Sequence, residues 1–184
     1  MKLLACPKCH QQLHLENKTL KCENNHCYDI SKRGYINLLL NPDKATNNPG
    51  DSKESLVARK AYLNKGYYDP ILNQVITCID EFKHQDDLSI LDLGCGEGYY
   101  TQGLKKHFEN SDIYGLDISK IAIDMATRYR KDVTWLVGNS KNIPILDHSL
   151  DFICALFTVV NQDELKRALK EDGYIAVSYT HLRA

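Results

Sequence analysis

The stretch from Leu91 to Gly98, which reads Leu-Asp-Leu-Gly-Cys-Gly-Glu-Gly, constrains the fold of this chain most strongly. It follows an apolar segment typical of a strand, and it leads through Tyr99 and Tyr100 into a helical pattern. Closely spaced glycines let a backbone approach a bound molecule, as in the nucleotide-binding loops of α/β folds. The stretch therefore predicts a strand, loop and helix unit with a ligand at the loop.

The spacing of the glycines narrows the type of ligand. A dinucleotide fingerprint has two residues between its second and third glycines, which would place the third glycine at position 99, where this chain has Tyr99. The pattern fits instead the loop of methyltransferases that use S-adenosylmethionine (SAM). We therefore predict that the loop binds SAM through Asp92, Gly94, Cys95, Gly96, Glu97, Gly98 and Tyr99.

Asp117 is the predicted partner of the cofactor ribose, because an acidic residue at the end of the second strand binds ribose hydroxyls in such folds. The alternative is that Asp117 caps a helix, but Ser119 is already a good N-cap residue. Ile118 would lie against the adenine. Asn139 and Ser140 follow the third strand and are predicted to make further adenine contacts, because ligands lie at the carboxyl ends of parallel strands.

The rest of the chain alternates short apolar runs with helical stretches, which predicts a parallel sheet with crossover helices. The expected strands are 89–93, 112–117, 133–138, 150–157 and 173–178. A capping box at Asp51 and Glu54 predicts a helix over 52–64, and Asp69 as the cap, with Pro70 in the first turn, predicts the start of another. The predicted fold class is α/β, a Rossmann-like methyltransferase sheet with a small N-terminal zinc-binding module. We expect the module and its linker in 1–50, ending in a loop at Asn41-Pro42 and Asn47 to Gly50, and the methyltransferase domain in 51–184.

The N-terminal segment has the spacing of a zinc site, with Cys6-x2-Cys9 followed by Cys22-x3-His26. A hairpin formed by 13–15 and 19–21 would bring the two pairs together. Cys27 is an alternative fourth ligand beside His26, and His10 and His14 are weaker alternatives. Because four protein ligands would close the coordination sphere, the zinc is predicted to be structural.

Composition and charge indicate the size of the core, the charge of the partner and the cellular location. The chain contains 184 residues, 43% of them hydrophobic, which is enough for one sizeable core and a small satellite. Residues 1–66 carry a net charge of +5 and residues 67–184 one of −6, which favours a polyanionic partner on one side. No apolar run approaches the roughly 20 residues that span a bilayer, and the segment before Cys6 is too short for a signal peptide, so we expect no membrane partner and a cytoplasmic location.

The motifs together resemble one family, the 23S ribosomal RNA (guanine-N1)-methyltransferases of the RlmA type. The similarity runs from Cys6 to about Val177. Its carriers are Cys6-Pro7-x-Cys9, Cys22 and His26, Gly34-Tyr35-Ile36-Asn37-Leu38-Leu39, Pro49-Gly50-Asp51-Ser52, Gly66-Tyr67-Tyr68, and Leu93 to Thr101. The resemblance implies methyl transfer from SAM to N1 of a guanine in a 23S RNA hairpin, an RNA-recognition module held by zinc, and a cofactor contact from Tyr68. A homodimer is possible.

Two segments depart from the family pattern. At the end of the fourth strand the family has an Ala-Pro-Cys-like turn, whereas this chain has Phe157 to Asn161. Phe157 could stack on the base and Asn161 could bind it, but a core aromatic and a helix cap are equally good readings, so the catalytic residues are left unassigned. Residues 179–184 do not match the family, and we expect a chain truncated at its C-terminus with its fifth strand exposed as a sheet edge.

Two other functions remain open on sequence alone. The chain could be a non-catalytic zinc-containing RNA-binding module that holds SAM, or a SAM methyltransferase that acts on a small molecule. The position of the guanine and the general base also stay open.

Overall fold

The computed structural model describes residues 1–40 and 50–178. The predictions for the loop at Asn41 to Pro49 and for residues 179–184 lie outside the described residues. The N-terminal segment forms a three-stranded antiparallel sheet of β1 (His14–Glu16), β2 (Thr19–Lys21) and β3 (Cys27–Asp29). Its first turn pairs Glu16 with Thr19, so the predicted hairpin is present with its first strand shifted by one residue.

A six-stranded sheet forms the body of the protein, and all of its neighbouring strands are parallel. Its strands are β4 (Ile36–Asn37), β5 (Ser89–Leu93), β6 (Asp112–Asp117), β7 (Thr134–Val137), β8 (Leu150–Leu156) and β9 (Leu169–Ser178). The spatial order is β4-β7-β6-β5-β8-β9. The chain builds outward from β5 in one direction and then returns to add β8 and β9 on the other side. The carboxyl end of β5 is therefore a switch point, where such sheets bind their ligands.

Within residues 1–40 and 50–178, five helices accompany the strands: α1 (Lys53–Leu63), α2 (Asp69–Phe82), α3 (Tyr99–His107), α4 (Lys120–Ala126) and α5 (Gln162–Ala168). The predicted cap of α1 was wrong by one residue, because the hydroxyl of Ser52 accepts from the Ser55 amide and Asp51 pairs with Arg59 instead. The predicted cap of α2 was also wrong. Tyr68 precedes the helix without a side-chain cap, and Asp69 is its first residue. Among the described residues, no helix combines the length and apolar character needed to cross a membrane.

The N-terminal module and α5 cover one face of the large sheet, and α2, α3 and α4 cover the other. On one face, Leu91 packs in a cluster with α5 and with residues of the N-terminal module such as Leu4 and Leu20. On the other face, Ile90 packs with α2, α3 and α4, including Ile79 and Leu104. Consecutive residues of β5 point to opposite faces and both are fully buried, which explains why this strand reads as a continuous apolar run.

The N-terminal module is tied to the sheet in two ways that the sequence did not predict. First, β4 adds to the sheet beside β7, with Ile36 opposite Leu136. Second, the Ala5 amide donates to the Pro144 carbonyl at 3.0 Å, and the Leu146 amide donates to the Leu3 carbonyl at 2.9 Å. The N-terminal module and the sheet therefore share one hydrophobic core.

The last strand also differs from its prediction. β9 begins at Leu169, directly after α5, whereas the sequence predicted a strand from Gly173. Leu169 pairs with Leu150, and the register then shifts so that Tyr174 faces Phe152. Because Leu169 is buried against β8, the strand gains its first contact before the bulge. β9 is an edge strand of the described sheet.

Candidate cofactor site and metal centre

The predicted zinc residues converge at the tip of the N-terminal module. Cys6 and Cys9 lie in the turn before β1, and Cys22 and His26 lie in the turn between β2 and β3. The four ligand atoms lie within 4.8 Å of one another. The Cys9 and Cys22 sulfurs are 3.6 Å apart, and His26 Nδ1 is 3.4 Å from the sulfur of Cys22. Tetrahedral zinc places ligand sulfurs about 3.8 Å apart and a sulfur and a nitrogen about 3.6 Å apart, so this donor set fits the ion.

The three alternative zinc ligands that the sequence offered lie outside the cluster. Cys27 is exposed, and its thiol lies 3.4 Å from the Asn25 carbonyl, outside the cluster. His10 and His14 are likewise not part of it. The pKa of Cys9 is lowered to about 6, first because the Gln11 backbone N–H donates to its sulfur, and this favours the thiolate that zinc binds.

Sequence reasoning missed Tyr28, whose hydroxyl lies 3.3 Å from the Cys6 sulfur. An aromatic residue one position after Cys27 was the only signal for it. Because Tyr28 touches a predicted ligand, it can hold the orientation of that ligand, as outer partners commonly do around metal sites.

The glycine-rich loop joins β5 to α3 and is fixed by the end of β6. The amides of Gly94 and Cys95 donate to the Leu116 carbonyl at 2.8 and 3.0 Å, and the Gly96 amide donates to Asp117 Oδ2 at 2.9 Å. Gly98 has φ +88, and a Cβ there would lie 2.6 Å from the Trp135 ring. The loop can therefore take this tight path only with glycine.

Gly96 differs from Gly98 in what surrounds it. Its φ is +56, and apart from its own chain neighbours no atom of the described residues lies within 4 Å of the position that a Cβ would occupy. The backbone of the loop is thus open at Gly96, where a ligand can approach closely.

Asp117 faces the loop from the carboxyl end of β6. Its Oδ1 accepts from the Ser119 amide at 2.7 Å, and its Oδ2 accepts from Gly96. The hydroxyl of Ser119 caps α4 through the Ala122 amide, so the capping role that competed for Asp117 falls to Ser119. A carboxylate has about four acceptor positions, so Asp117 retains two for the hydroxyls of a ligand.

Two cavities meet at Gly94, which lines both of them. One, of about 220 Å³, contains Asp117, Ile118, Asn139 and Ser140. The other, of about 210 Å³, contains the following predicted residues: Tyr68, Cys95, Gly96, Glu97 and Tyr99. The structure therefore brings the predicted cofactor residues to the two sides of one loop. Asp92, on β5, and Gly98, the last residue of the loop, are buried and line neither cavity.

Three acids lie in or beside the loop: Asp92 and Glu97 are buried, and Asp117 is partly buried. Burial raises the pKa of Asp92 to about 7, and the Thr101 hydroxyl donates to its Oδ2 at 2.5 Å. Burial is also the first cause that raises the pKa of Glu97 and of Asp117, and the charge of Asp117 raises that of both other acids. A cationic ligand would relieve this repulsion. SAM carries a sulfonium and an ammonium group, so the charge of the site fits it.

Aromatic side chains line the mouth of the 210 Å³ cavity. Tyr68 contacts Phe157 edge to face, with ring centroids 6.0 Å apart. The hydroxyl of Tyr99 donates a short hydrogen bond to Asp69. Asn161 caps α5, because its Oδ1 accepts from the Asp163 amide at 3.1 Å, and it does not line this cavity.

A basic groove of about 420 Å³ lies between the N-terminal module and the start of β7. We define it by its five cations: Lys18, Lys32, Arg33, Arg130 and Lys131. Arg33 pairs with Asp124 and Arg130 pairs with Asp132, both at 2.7 Å. In the part of the chain that the structure describes, the three lysines form no ion pair, so the groove presents an excess of positive charge.

Comparison with known proteins agrees with this architecture. Residues 90–173 match the methyltransferase domain family, and residues 4–45 match the N-terminal zinc ribbon of RlmA. A solved SAM-dependent methyltransferase candidate from Methanococcus maripaludis has the same fold, with a TM-score of 0.56 and 23% identity over 70% of this chain and 67% of that one. The fold is thus that of SAM-dependent methyltransferases, carrying a zinc ribbon, and the cofactor predictions of SAM and structural zinc are confirmed at the level of these two domains.

Two curated relatives that align with nearly the whole of this chain carry more specific names than the domain families. A Streptomyces fradiae 23S rRNA (guanine(748)-N(1))-methyltransferase is 28% identical over 96% of this chain and 63% of its own length. A candidate 23S rRNA (guanine-N(1)-)-methyltransferase of Bacillus subtilis is 30% identical over 94% of this chain and 62% of its own. The chain is therefore a relative of the 23S rRNA (guanine-N1)-methyltransferases, as its motifs indicated, and it spans about three fifths of the length of these proteins.

Proposed function

We propose that this protein transfers a methyl group from SAM to N1 of a guanine in a hairpin of 23S ribosomal RNA. The observation that carries the proposal is the basic groove, which is built jointly by the zinc-ribbon segment and the start of β7 in a protein that also has a SAM-type loop. Phosphate backbones bind to such cation-lined surfaces, whereas a small acceptor has no need of one. The names of the relatives support the same substrate.

The zinc-ribbon segment would act as the scaffold of the groove. In this proposal Cys6, Cys9, Cys22 and His26 bind one structural zinc and fix the turn before β1 and the turn between β2 and β3. Lys18 lies between β1 and β2, and Lys32 and Arg33 lie between β3 and β4, so the fold of the ribbon positions three of the five cations. The proposed boundary between the zinc-binding module and the methyltransferase domain stays near residue 50.

The loop residues would divide the cofactor between the two cavities. Asp117 would accept hydrogen bonds from the ribose hydroxyls, Ile118 would pack on the adenine, and Asn139 and Ser140 would contact its edge. Tyr68, the loop from Gly94 to Gly98 and Tyr99 would hold the methionine end, with Asp92 supporting the loop from β5. SAM, when bound, supplies the electrophilic methyl group.

The rest of the chemistry concerns the RNA base. The N1–methyl bond forms as the sulfur–methyl bond breaks, and the proton on N1 leaves to a base or to water. The guanine must be unpaired for N1 to reach the loop, because N1 lies inside a Watson–Crick pair. A cytoplasmic location follows from a ribosomal RNA substrate. Homodimer formation stays a prediction that sedimentation can test.

Incubation of the full chain with SAM and unmethylated 23S RNA, followed by nucleoside mass spectrometry, tests the proposal. We expect new 1-methylguanosine, and the Asp117→Ala protein should give much less of it at limiting SAM. RNA binding without methylated product would favour the non-catalytic RNA-binding alternative. Methylation of small acceptors, with no RNA binding, would favour the small-molecule methyltransferase.

A further inference from the structure

Four aromatic rings form a continuous chain of contacts, and three of them, those of Tyr62, Tyr68 and Phe157, line the 210 Å³ cavity. Tyr67 contacts Tyr62 at a centroid distance of 5.2 Å, Tyr62 contacts Tyr68 at 6.0 Å, and Tyr68 contacts Phe157 at 6.0 Å. We call this set the aromatic ladder. Tyr62, Tyr67 and Phe157 are 49%, 62% and 47% exposed. Exposed apolar surface concentrated beside a cavity is typical of a binding surface.

The backbone of Phe157 indicates that its ring is held in this place. The residue follows β8 directly and has φ +57, a left-handed conformation that a bulky side chain rarely adopts. Such conformations persist where the surroundings impose them, and they are frequent at ligand-binding sites. Here the ring contacts Tyr68 and lines the cavity together with Gly94 and Cys95 of the cofactor loop.

Positive charge lies beside the ladder on α1. Arg59 lines the same cavity and pairs with Asp51 at 2.6 Å. Lys60 lies with its Nζ 3.4 Å from the centre of the Tyr129 ring. Exposed aromatic rings with neighbouring cations are the combination that binds single-stranded nucleic acid, because the rings stack on bases and the cations lie near phosphates. A paired duplex would not present its base faces to the rings.

We propose that the aromatic ladder holds the unpaired strand around the target guanine. Phe157 stacks on the guanine inside the cavity, facing the cofactor loop, and Tyr62 and Tyr67 stack on an adjacent base at its mouth. Tyr68 connects the two stacking surfaces. The inference rests on the proposed function and adds the residues that select an unstacked RNA base.

Binding measurements with two RNAs test the ladder. The full chain is titrated with a 23S-derived hairpin that has unpaired loop guanines and with a fully paired duplex of equal length. Replacing an aromatic stacking residue typically weakens binding by about 5- to 150-fold for each base. We expect Phe157→Leu and Tyr67→Leu each to weaken hairpin binding within this range and to leave duplex binding unchanged, and Phe157→Trp to restore hairpin binding.

Phe82→Leu is the matched control. Phe82 is 43% exposed and stacks on Tyr174, but it lines a different cavity from the ladder. We expect this variant to bind both RNAs as the unchanged protein does. SAM affinity and circular dichroism are measured for every variant. If Phe157→Leu fails to fold, Tyr67→Leu decides the result, because Tyr67 is the most exposed ring of the ladder.

The outcomes distinguish this proposal from the function on which it rests. Hairpin binding that is unaffected by Phe157→Leu and Tyr67→Leu would overturn the ladder and leave the RNA substrate standing. Equal losses for hairpin and duplex would also overturn it, because stacking on unpaired bases requires a difference. If the unchanged protein binds neither RNA, the proposed function itself fails.

Discussion

Replacing Asp117 by alanine is the most informative perturbation of the cofactor site. The carboxylate already accepts from the Gly96 amide at 2.9 Å and from the Ser119 amide at 2.7 Å, it has two further acceptor positions, and the residue lines the 220 Å³ cavity. A hydrogen bond to a charged group contributes about 1.5–3 kcal/mol. We therefore expect Asp117→Ala to weaken SAM about 10- to 150-fold, measured by isothermal titration calorimetry.

The same change should also lower stability, because it leaves the Gly96 amide without its partner. An unsatisfied buried amide costs about 1–3 kcal/mol, which urea unfolding without cofactor would detect. Ser119→Ala separates the two effects. It removes the cap of α4, at a cost of about 1 kcal/mol, but leaves the Asp117 carboxylate in place, so SAM affinity should not change. Equal SAM affinity in Asp117→Ala and the unchanged protein would refute the ribose assignment, even if stability fell.

Three further predictions concern the zinc ligands, the buried Asp92 and the hydrogen bonds of Arg167 on α5. Cys9→Ser should reduce bound zinc well below one ion per chain by elemental analysis, whereas the exposed Cys27→Ser should retain it; full zinc in Cys9→Ser would contradict the ligand set. The pKa of Asp92 is raised to about 7 in the folded protein, so the free energy of unfolding that its protonated form contributes should be lost as pH rises from about 4 to about 7. Asp92→Asn should flatten this part of the pH dependence, measured by urea unfolding. A pH dependence that is the same in Asp92→Asn and the unchanged protein would refute the prediction. Arg167→Met removes hydrogen bonds to Glu164 and to the carbonyls of Ile143 and Ile145, and it should lower the free energy of unfolding by about 3 kcal/mol in urea. A loss below about 1 kcal/mol would contradict this prediction.

Much of the site was predictable because its signals are local. The zinc ligands are two pairs on short turns joined by a hairpin, so their spacing alone brings them close. The strand, loop and helix around Gly94 and Gly98 likewise require only a few consecutive residues. The position of Asp117 followed from the end of a strand that neighbours β5, and the structure places it against Gly96.

The helix caps at Asp51 and Asp69 were less predictable, because neighbouring groups compete for the same side chains. Arg59 engages Asp51, and Tyr99 donates to Asp69, so neither acid acts as the cap that its local sequence suggested. These partners lie on other turns or helices, which no short sequence window contains.

The sequence by itself determined the elements and the chemistry of each motif, because these depend on residue type and on spacing over a few turns of chain. Only the tertiary structure decided which distant segments meet. It paired Ile36 with Leu136, brought Lys18 to Lys131 across the basic groove, and set Tyr68 against Phe157. Strand order in a parallel sheet is selected by burying both of its faces at once, and that free energy belongs to the whole core rather than to any local pattern.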